Sequence, residues 1–149
     1  MNRSKNTKNA DKLQVALDYL SEYSGVRGAV IADNEGLVIS KSGHDEFNAE
    51  LYAALSLSLS SLLAKELVKL SGSNVEFLSI KTSQDWVTIA RASHCTLVVA
   101  ADRRTDDLLG VRISRALEMI ATHLKTKYPV LQQATGPKER VIIMEEIHV

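Results

Sequence analysis

The sequence predicts one α/β domain in which a single sheet is covered by helices on both of its faces. Along the chain, the elements are expected in the order helix, two strands, long helix, three strands, helix. Residues 26–32 and 96–101 are largely apolar at successive positions, which is typical of strands that are buried on both sides. The length of 149 residues fits one domain of this layered kind.

The first half of the chain is expected to form a helix, a hairpin and the longest helix. Residues 1–9 are polar and are expected to form a disordered tail, and residues 11–24 then carry apolar side chains at helical spacing. The segment GVRGAVIADNEGLVISKSG, residues 25–43, predicts two apolar strands joined by a turn of Asp, Asn, Glu and Gly. The helix that follows runs over residues 46–70, and Gly72 ends it.

The second half of the chain is expected to contain three strands, a helix and a tail. The strands are the segments NVEFLSIKT, QDWVTIARA and TLVVAA. Thr105 is placed to cap the last helix, which ends before Pro129. Residues 10–128 therefore form the predicted domain, and residues 129–149 form a linker followed by the strand-like segment RVIIMEEIHV.

The long helix is apolar around more of its circumference than one sheet face can cover. Phe47, Leu51, Leu55, Leu59 and Leu62 form one ridge, and further leucines form a second ridge. A helix of this kind is expected to be buried on more than one side. The pattern therefore predicts a second partner for this helix, beyond its own sheet.

Composition and charge argue against several classes of protein. The 18 basic and 18 acidic residues balance, so no basic excess indicates nucleic-acid binding. No segment is expected to reach the ~20 apolar residues that span a bilayer, so membrane insertion is not expected. Cys95 is the only cysteine, which excludes an internal disulfide and favours the reducing cytoplasm as the location.

No residue pattern indicates catalysis, a cofactor or a metal. The chain lacks glycine-rich phosphate loops, the GxSxG nucleophile motif, and the CxxC and HExxH metal spacings. His94 and Cys95 are adjacent, and neighbours on a strand point to opposite faces. Arg103 and Arg104 could act as an arginine finger toward a phosphate, but solvated ion pairs with the nearby aspartates explain them better. We therefore expect no catalytic, cofactor-binding or metal-binding residue.

The ordered segments resemble the roadblock/dynein light chain family over residues 13–124. The resemblance rests on LSEYSGVRGAVIADNEGLVIS, on the long Ala/Leu helix after it, and on VEFLSIKTSQDWVTIARASHCTLVVAADRRTDDLLGVRISRALEMI. Its most specific parts are short: Gly25-Val26 with Gly28, the turn at 33–36, the strand at 97–99, and Leu109-Gly110 with Arg112.

This resemblance implies a profilin-like, longin-related α/β/α sandwich with a five-stranded antiparallel sheet in the order 2-1-5-4-3. The second helix is expected on one face, and the first and third helices on the other. The resemblance also implies a homodimer joined by the third strands and the second helices. Its implied partner is a Ras-like small GTPase, which proteins of the MglB type activate and others scaffold.

The resemblance and the apolar helix together predict two sets of interaction residues. The expected dimer interface consists of Leu51, Leu55, Leu59, Leu62, Val75, Phe77 and Ser79. The expected partner-binding positions, taken as exposed on the second helix, are Tyr52, Ser56 and Lys65. The resemblance implies no catalytic residue in this chain, so any activation of a GTPase would come from reshaping the partner's switch regions.

Two alternatives and one further expectation stay open. A profilin-like sheet can hold a small molecule between sheet and helix, which would make the chain a ligand sensor. The chain could also serve as a dynein-type light-chain assembly subunit. The apolar tail segment 141–144 is expected to add a strand at the second strand, residues 37–41, or to become ordered only when a partner binds.

Overall fold

The computed structural model describes residues 2–72 and 75–127, with side chains described from residue 12 to residue 125 within those ranges. Eight helices and strands follow one another along these residues: α1 (Asn2–Ser21), β1 (Val26–Ala32), β2 (Val38–Gly43), α2 (Ala49–Ser71), β3 (Phe77–Lys81), β4 (Asp85–Ala92), β5 (Cys95–Asp102) and α3 (Leu109–Lys127). The expected linker and strand-like tail, residues 129–149, lie outside the described residues.

The strands form one antiparallel sheet in the order β2-β1-β5-β4-β3. The expected strand order is confirmed. The three hairpin connections pair β1 with β2, β3 with β4, and β4 with β5, and the pairing of β1 with β5 joins the two halves. β1 and β5 are therefore interior strands, as their apolar runs predict, and β4 is the third interior strand.

Each face of the sheet has its own apolar core. On one face, α1 and α3 pack side by side, and Leu17, Leu97 and Ile113 are almost completely buried among them. On the other face, a smaller core forms around Val30 and Val98, and α2 lies over it. The three-layer sandwich is thus asymmetric, because two helices cover one face and a single helix covers the other.

The second strand is more exposed than the apolar sequence of the hairpin predicts. Exposure alternates along β2, because β2 is an edge strand whose inner face packs against α1. Ile39 is 46% exposed, and Leu37 just before the strand is 60% exposed. The hairpin therefore has one strand in the interior and one at the sheet edge.

The first helix begins earlier than the sequence predicts. Residues 2–21 form one helix, so residues 2–9 continue α1 in place of the expected disordered tail. This segment contains neither Gly nor Pro, and extending an existing helix costs far less than nucleating a new one.

The last helix is capped by Asp106 and not by Thr105. Asp106 Oδ1 accepts a hydrogen bond from Leu108 N at 2.8 Å, and the Asp106 carbonyl accepts one from Leu109 N at 3.0 Å. Thr105 packs against the backbone of Gly25, where an added Cβ would lie 2.3 Å from Thr105 Oγ1. Thr105 therefore supports the turn between α1 and β1, which a side chain at position 25 would disrupt.

Candidate interaction surface

The side of α2 that faces the sheet is lined by small residues. Ala49, Ala53 and Ser56 are the buried residues of this helix, and they recur at one-turn and two-turn spacing. Ser56 Oγ donates to the carbonyl of Ala53 at 2.8 Å, so its hydroxyl is satisfied within the helix. The expectation that Ser56 is an exposed partner-binding residue is wrong, because the small side chain lets α2 approach the sheet closely.

The opposite side of α2 presents leucines to solvent. Leu51 is 63% exposed, Leu55 is 39% exposed and Leu62 is 57% exposed. These residues recur at four-residue and seven-residue spacing, and they therefore lie on one face of the helix. Leu59 is half-buried and packs against the core beneath α2. Exposed apolar side chains that share one face of a helix are typical of an interaction site.

β3 forms the open edge of the sheet, and its Phe77 lies on the sheet face opposite to α2, because the neighbouring Leu78 packs in the core beneath α2. The strand pairs with β4 on one side only, and Phe77 is 53% exposed. Ser79, which is also exposed, accepts a hydrogen bond from Trp86 Nε1 at 2.7 Å. Val75 is half-buried just before the strand. The expected dimer residues therefore lie on two elements that share the smaller core, and their pairing with a second copy stays a prediction.

The beginning of α2 is held by three separate contacts. Asn48 caps the helix by accepting a hydrogen bond from Leu51 N at 3.1 Å. Glu50 lies 3.4 Å from Lys41 Nζ, and the pKa of Glu50 is lowered first by its own backbone N–H and then by Lys41. Phe47 stacks on Tyr52 with ring centres 5.1 Å apart. Tyr52 is consequently half-buried, and not fully exposed as its partner-binding role assumes.

The far end of α2 leaves the sheet surface. Lys65 is exposed, as expected for a partner-binding position. Leu70 is 82% exposed, and Gly72 ends the helix with φ 74° while its N–H donates to the Val68 carbonyl at 2.9 Å. The two turns before this cap thus present an apolar side chain and a cation to solvent.

By length and composition, α2 is also a helix that could cross a membrane. Its 23 residues are long enough and apolar enough to span a bilayer, contrary to the expectation that no segment would qualify. The same helix carries Glu50, Lys65, Glu66 and Lys69, and its small-residue side packs on the sheet. A second protein surface can cover the exposed leucines as well as lipid can, so composition alone does not choose between them.

At the end of the sheet where α2 begins, an ion-pair cluster surrounds Arg27. Its guanidinium contacts Asp85 Oδ1, and it lies 3.5 Å from Asp102 Oδ2. Asp102 also accepts a hydrogen bond from Arg104 N at 2.9 Å. This backbone contact, followed by the charges of Arg27 and Arg104, lowers the pKa of Asp102. Arg103 and Arg104 have exposed side chains, and the backbone N–H of Arg103 donates to the Gln84 carbonyl at 3.0 Å, so the loop is an ordered turn.

The described residues contain no cluster of three side chains suited to hold a metal ion. His94 is exposed in the turn between β4 and β5, whereas Cys95 is buried at the start of β5. A histidine and a cysteine with such different exposure do not point into one site.

Comparison with known proteins identifies related domains. The family model described as Roadblock/LC7 domain matches residues 12–101. A Roadblock/LC7 domain structure from Streptomyces avermitilis is 25% identical, covers 73% of this chain and 94% of its own, and gives a TM-score of 0.66. No curated protein matches the chain.

Two further solved structures share the fold. Myxococcus xanthus MglB is 21% identical, with coverage of 78% of this chain and 90% of its own and a TM-score of 0.72. The gliding protein MglB from Thermus thermophilus is 18% identical, with coverage of 77% and 90% and a TM-score of 0.70.

Proposed function

The chain belongs to the Roadblock/LC7 domain family, and from this membership we propose that it is a non-enzymatic homodimeric regulator or scaffold that binds a Ras-like small GTPase in the cytoplasm. The GTPase partner follows from the resemblance to MglB-type regulators. In this proposal the chain supplies no catalytic group of its own, and any hydrolysis of GTP takes place in the partner.

The observations that carry this proposal are the exposed leucines of α2 and the open edge of β3. Burying a leucine completely contributes about 1.5–3 kcal/mol. Half-burial of the three exposed leucines in each of two protomers would contribute about 4.5–9 kcal/mol. That is similar to the cost of association, which is about 4–15 kcal/mol. Pairing of the two β3 edges must therefore add hydrogen bonds before the dimer becomes stable.

In the proposed dimer, the β3 strands pair across the two-fold axis and extend the sheet through both protomers. Such an isologous contact uses the same residues from both copies. Phe77 and Leu55 then meet their counterparts near the axis, and Leu59 closes the contact at the core beneath α2. The outer side of the paired α2 helices remains as the surface for the GTPase.

Within that surface, we assign Lys65 and Tyr52 to the GTPase contact and remove Ser56. Lys65 is exposed and is therefore able to meet an acidic group of the partner. Tyr52 keeps part of its ring accessible while the stack on Phe47 fixes its position. Aromatic residues held in this way are common anchors at protein interfaces.

Two measurements test the proposal. Sedimentation at micromolar concentration should show a dimer, and a monomer would contradict it. Small GTPases loaded with GDP or with a non-hydrolysable GTP analogue should then be titrated onto the protein by calorimetry. A cognate GTPase should bind one nucleotide state more tightly. Lys65→Glu should weaken this binding about tenfold, whereas Lys125→Glu on α3 should leave it unchanged; equal effects of the two variants would place the GTPase elsewhere.

A further inference from the structure

A second surface of the chain has the properties of a small-ligand site. We propose that the cavity between the second half of α2 and the sheet binds a small anion, a carboxylate or a phosphate ester with a short apolar group. The cavity measures about 200 Å³. Its walls come from the β1–β2 turn, from α2, from β4 and from the beginning of β5. This proposal does not depend on dimerisation or on GTPase binding.

The strand register explains why the sheet becomes polar at this place. Val87, Ile89 and Arg91 alternate along β4, and Thr96 and Val98 alternate along β5, so all five lie on the face that α2 covers. The valines and Ile89 form the apolar core beneath the first half of α2. Arg91 lies directly opposite Thr96 in the ladder. At this end of the sheet face, the side chain of Arg91 therefore lies beside that of Thr96.

Arg91 supplies the charge that selects an anion. It is the only charged residue among the described residues that line the cavity. Its backbone N–H donates to the Glu76 carbonyl at 3.0 Å, which fixes the strand at this position. A guanidinium presents a planar fork of donors that matches a carboxylate or a phosphate. The cavity lining thus includes one cation and no carboxylate, and the closest acidic neighbour of Arg91 along the ladder is Glu76, which is outside the lining.

The other polar side chains that line the cavity can still form hydrogen bonds with a ligand. Asn34, Ser60, Ser61 and Thr96 line the cavity together with Arg91. Within the part of the chain that the structure describes, these side chains form no hydrogen bond or ion pair with one another or with other groups. Hydroxyl and amide groups can donate hydrogen bonds to the oxygens of an anion that is bound to Arg91. Four elements therefore direct polar groups toward one small volume.

The wall formed by the β1–β2 turn is rigid. Asp33 Oδ1 accepts hydrogen bonds from Glu35 N at 2.9 Å and from Leu37 N at 3.0 Å. Gly36 has φ 79°, and an added Cβ there would lie 3.0 Å from Leu57 Cδ2. The turn thus packs directly on α2, which places Asn34 at the cavity before any ligand arrives. A preformed wall reduces the ordering cost of binding.

The size and lining of the cavity define the ligand class. One water molecule occupies about 30 Å³ in the liquid, so the space holds roughly six or seven waters, or a molecule of similar volume. Leu57, Ala64 and Val75 supply an apolar part. A short-chain carboxylate or a small phosphate monoester meets both requirements, because each has an anionic head and a compact carbon group.

The test uses the full chain and measures amide chemical shifts by NMR at constant ionic strength. Sodium butyrate and glycerol phosphate are titrated separately, and neutral butyramide serves as the uncharged comparison. The expected result is saturable shifts confined to residues 34, 60, 61, 91 and 96 with at least one of the two anions and none with butyramide. Saturation by butyrate alone identifies a carboxylate site, and saturation by glycerol phosphate alone identifies a phosphate site.

Three variants complete the test. Arg91→Gln should weaken binding at least tenfold, and Ser60→Leu, which fills the cavity without touching the arginine, should abolish it. Arg115→Gln removes an exposed arginine of α3 on the other face and should leave binding unchanged. Shifts that do not saturate with either anion, or that persist in Arg91→Gln and Ser60→Leu, would overturn the proposal.

Discussion

Arg112 on α3 contacts both the carbonyl and the ring of Tyr19, near the C-terminal end of α1. Its guanidinium carbon lies 4.3 Å from the centre of the Tyr19 ring, and its Nη1 donates to the Tyr19 carbonyl at 2.5 Å. The same guanidinium lies 5.2 Å from the ring centre of Tyr23. The last carbonyls of a helix lack partners within the helix and attract cations. One side chain therefore caps α1, contacts two aromatic rings and joins the two helices of this layer.

Loss of this contact should destabilise the fold. Arg112→Met keeps the apolar stem but removes the charged hydrogen bond and the cation–π contacts, so we expect a loss of about 1.5–3 kcal/mol in the free energy of unfolding. Arg112→Lys should recover part of the loss, because it keeps the charge without the planar fork. Urea unfolding measures both. Arg115→Met, an exposed arginine on the same helix, is the control, and an equal loss there would refute the assignment.

Gly28 determines how closely Phe47 approaches β1. An added Cβ at position 28 would lie 2.4 Å from the Phe47 ring, so Gly28→Ala should displace the ring and its stack on Tyr52. We expect a loss of about 1–3 kcal/mol. An added Cβ at Gly110, which lies in α3, would meet nothing within 4 Å. Gly110→Ala should therefore stabilise the protein by up to about 1 kcal/mol. Thermal unfolding should move in opposite directions for the two variants.

Leu55 should be essential for the proposed dimer. Leu55→Asp would place a carboxylate in the apolar contact at a cost of about 3 kcal/mol, which raises the dimer dissociation constant about 100-fold. Sedimentation across a concentration series measures this change. Val111→Asp introduces the same charge at a side chain of α3 that is 59% exposed, and it should leave the dimer intact. A dimer unaffected by Leu55→Asp would mean that α2 does not form the contact.

Asp102 should make stability depend on pH in one direction. Its pKa is lowered from the ordinary value of 3.8, first by the Arg104 backbone N–H and then by the nearby arginine charges. A lowered carboxylate pKa stabilises the fold above the unfolded-state value, and this contribution disappears as the pH falls through the folded-state value. Asp102→Asn should therefore have a lower free energy of unfolding than the native chain at pH 6. The difference between the two free energies should become smaller below pH 3.8. Urea unfolding at both pH values checks this, and a constant gap would contradict it.

The free edge of β2 is partly closed by Gln14. His44 N donates a hydrogen bond to the Arg27 carbonyl, so these two residues form a hydrogen-bonded pair of the β1–β2 ladder. Hydrogen-bonded and non-hydrogen-bonded pairs alternate along an antiparallel ladder. Lys41 is therefore in a non-hydrogen-bonded pair, and its carbonyl points away from β1. Gln14 Nε2 donates to that carbonyl at 2.9 Å, while Gln14 Oε1 accepts from Ser40 Oγ at 3.1 Å. A strand added at this edge must therefore displace Gln14.

Removal of this contact tests the proposed role of the tail. Gln14→Ala should favour strand addition by residues 141–144 at the β2 edge, so amide exchange across residues 38–43 should slow. In a chain that lacks residues 137–149, the same substitution should accelerate exchange there. Slower exchange in the truncated chain as well would exclude the tail as the added strand.

Local patterns were sufficient to predict much of this protein. The sequence by itself determined the order of helices and strands, the burial of β1 and β5 on both sides, and the apolar excess of α2. Each of these follows from the spacing of apolar residues within one segment and from the breakers at its ends. The start of α1 was missed, because a polar run without Gly or Pro does not show where helix extension stops.

Only the tertiary structure decided which side of each segment meets which neighbour. The leucine ridge of α2 could have faced the sheet, but the side with Ala49, Ala53 and Ser56 packs there because small side chains allow the closest approach. Strand register places Arg91 beside Thr96, and helix packing brings Arg112 to the Tyr19 carbonyl, 93 residues away in the chain. Such contacts depend on long-range pairing, which the periodicity of a single segment does not encode.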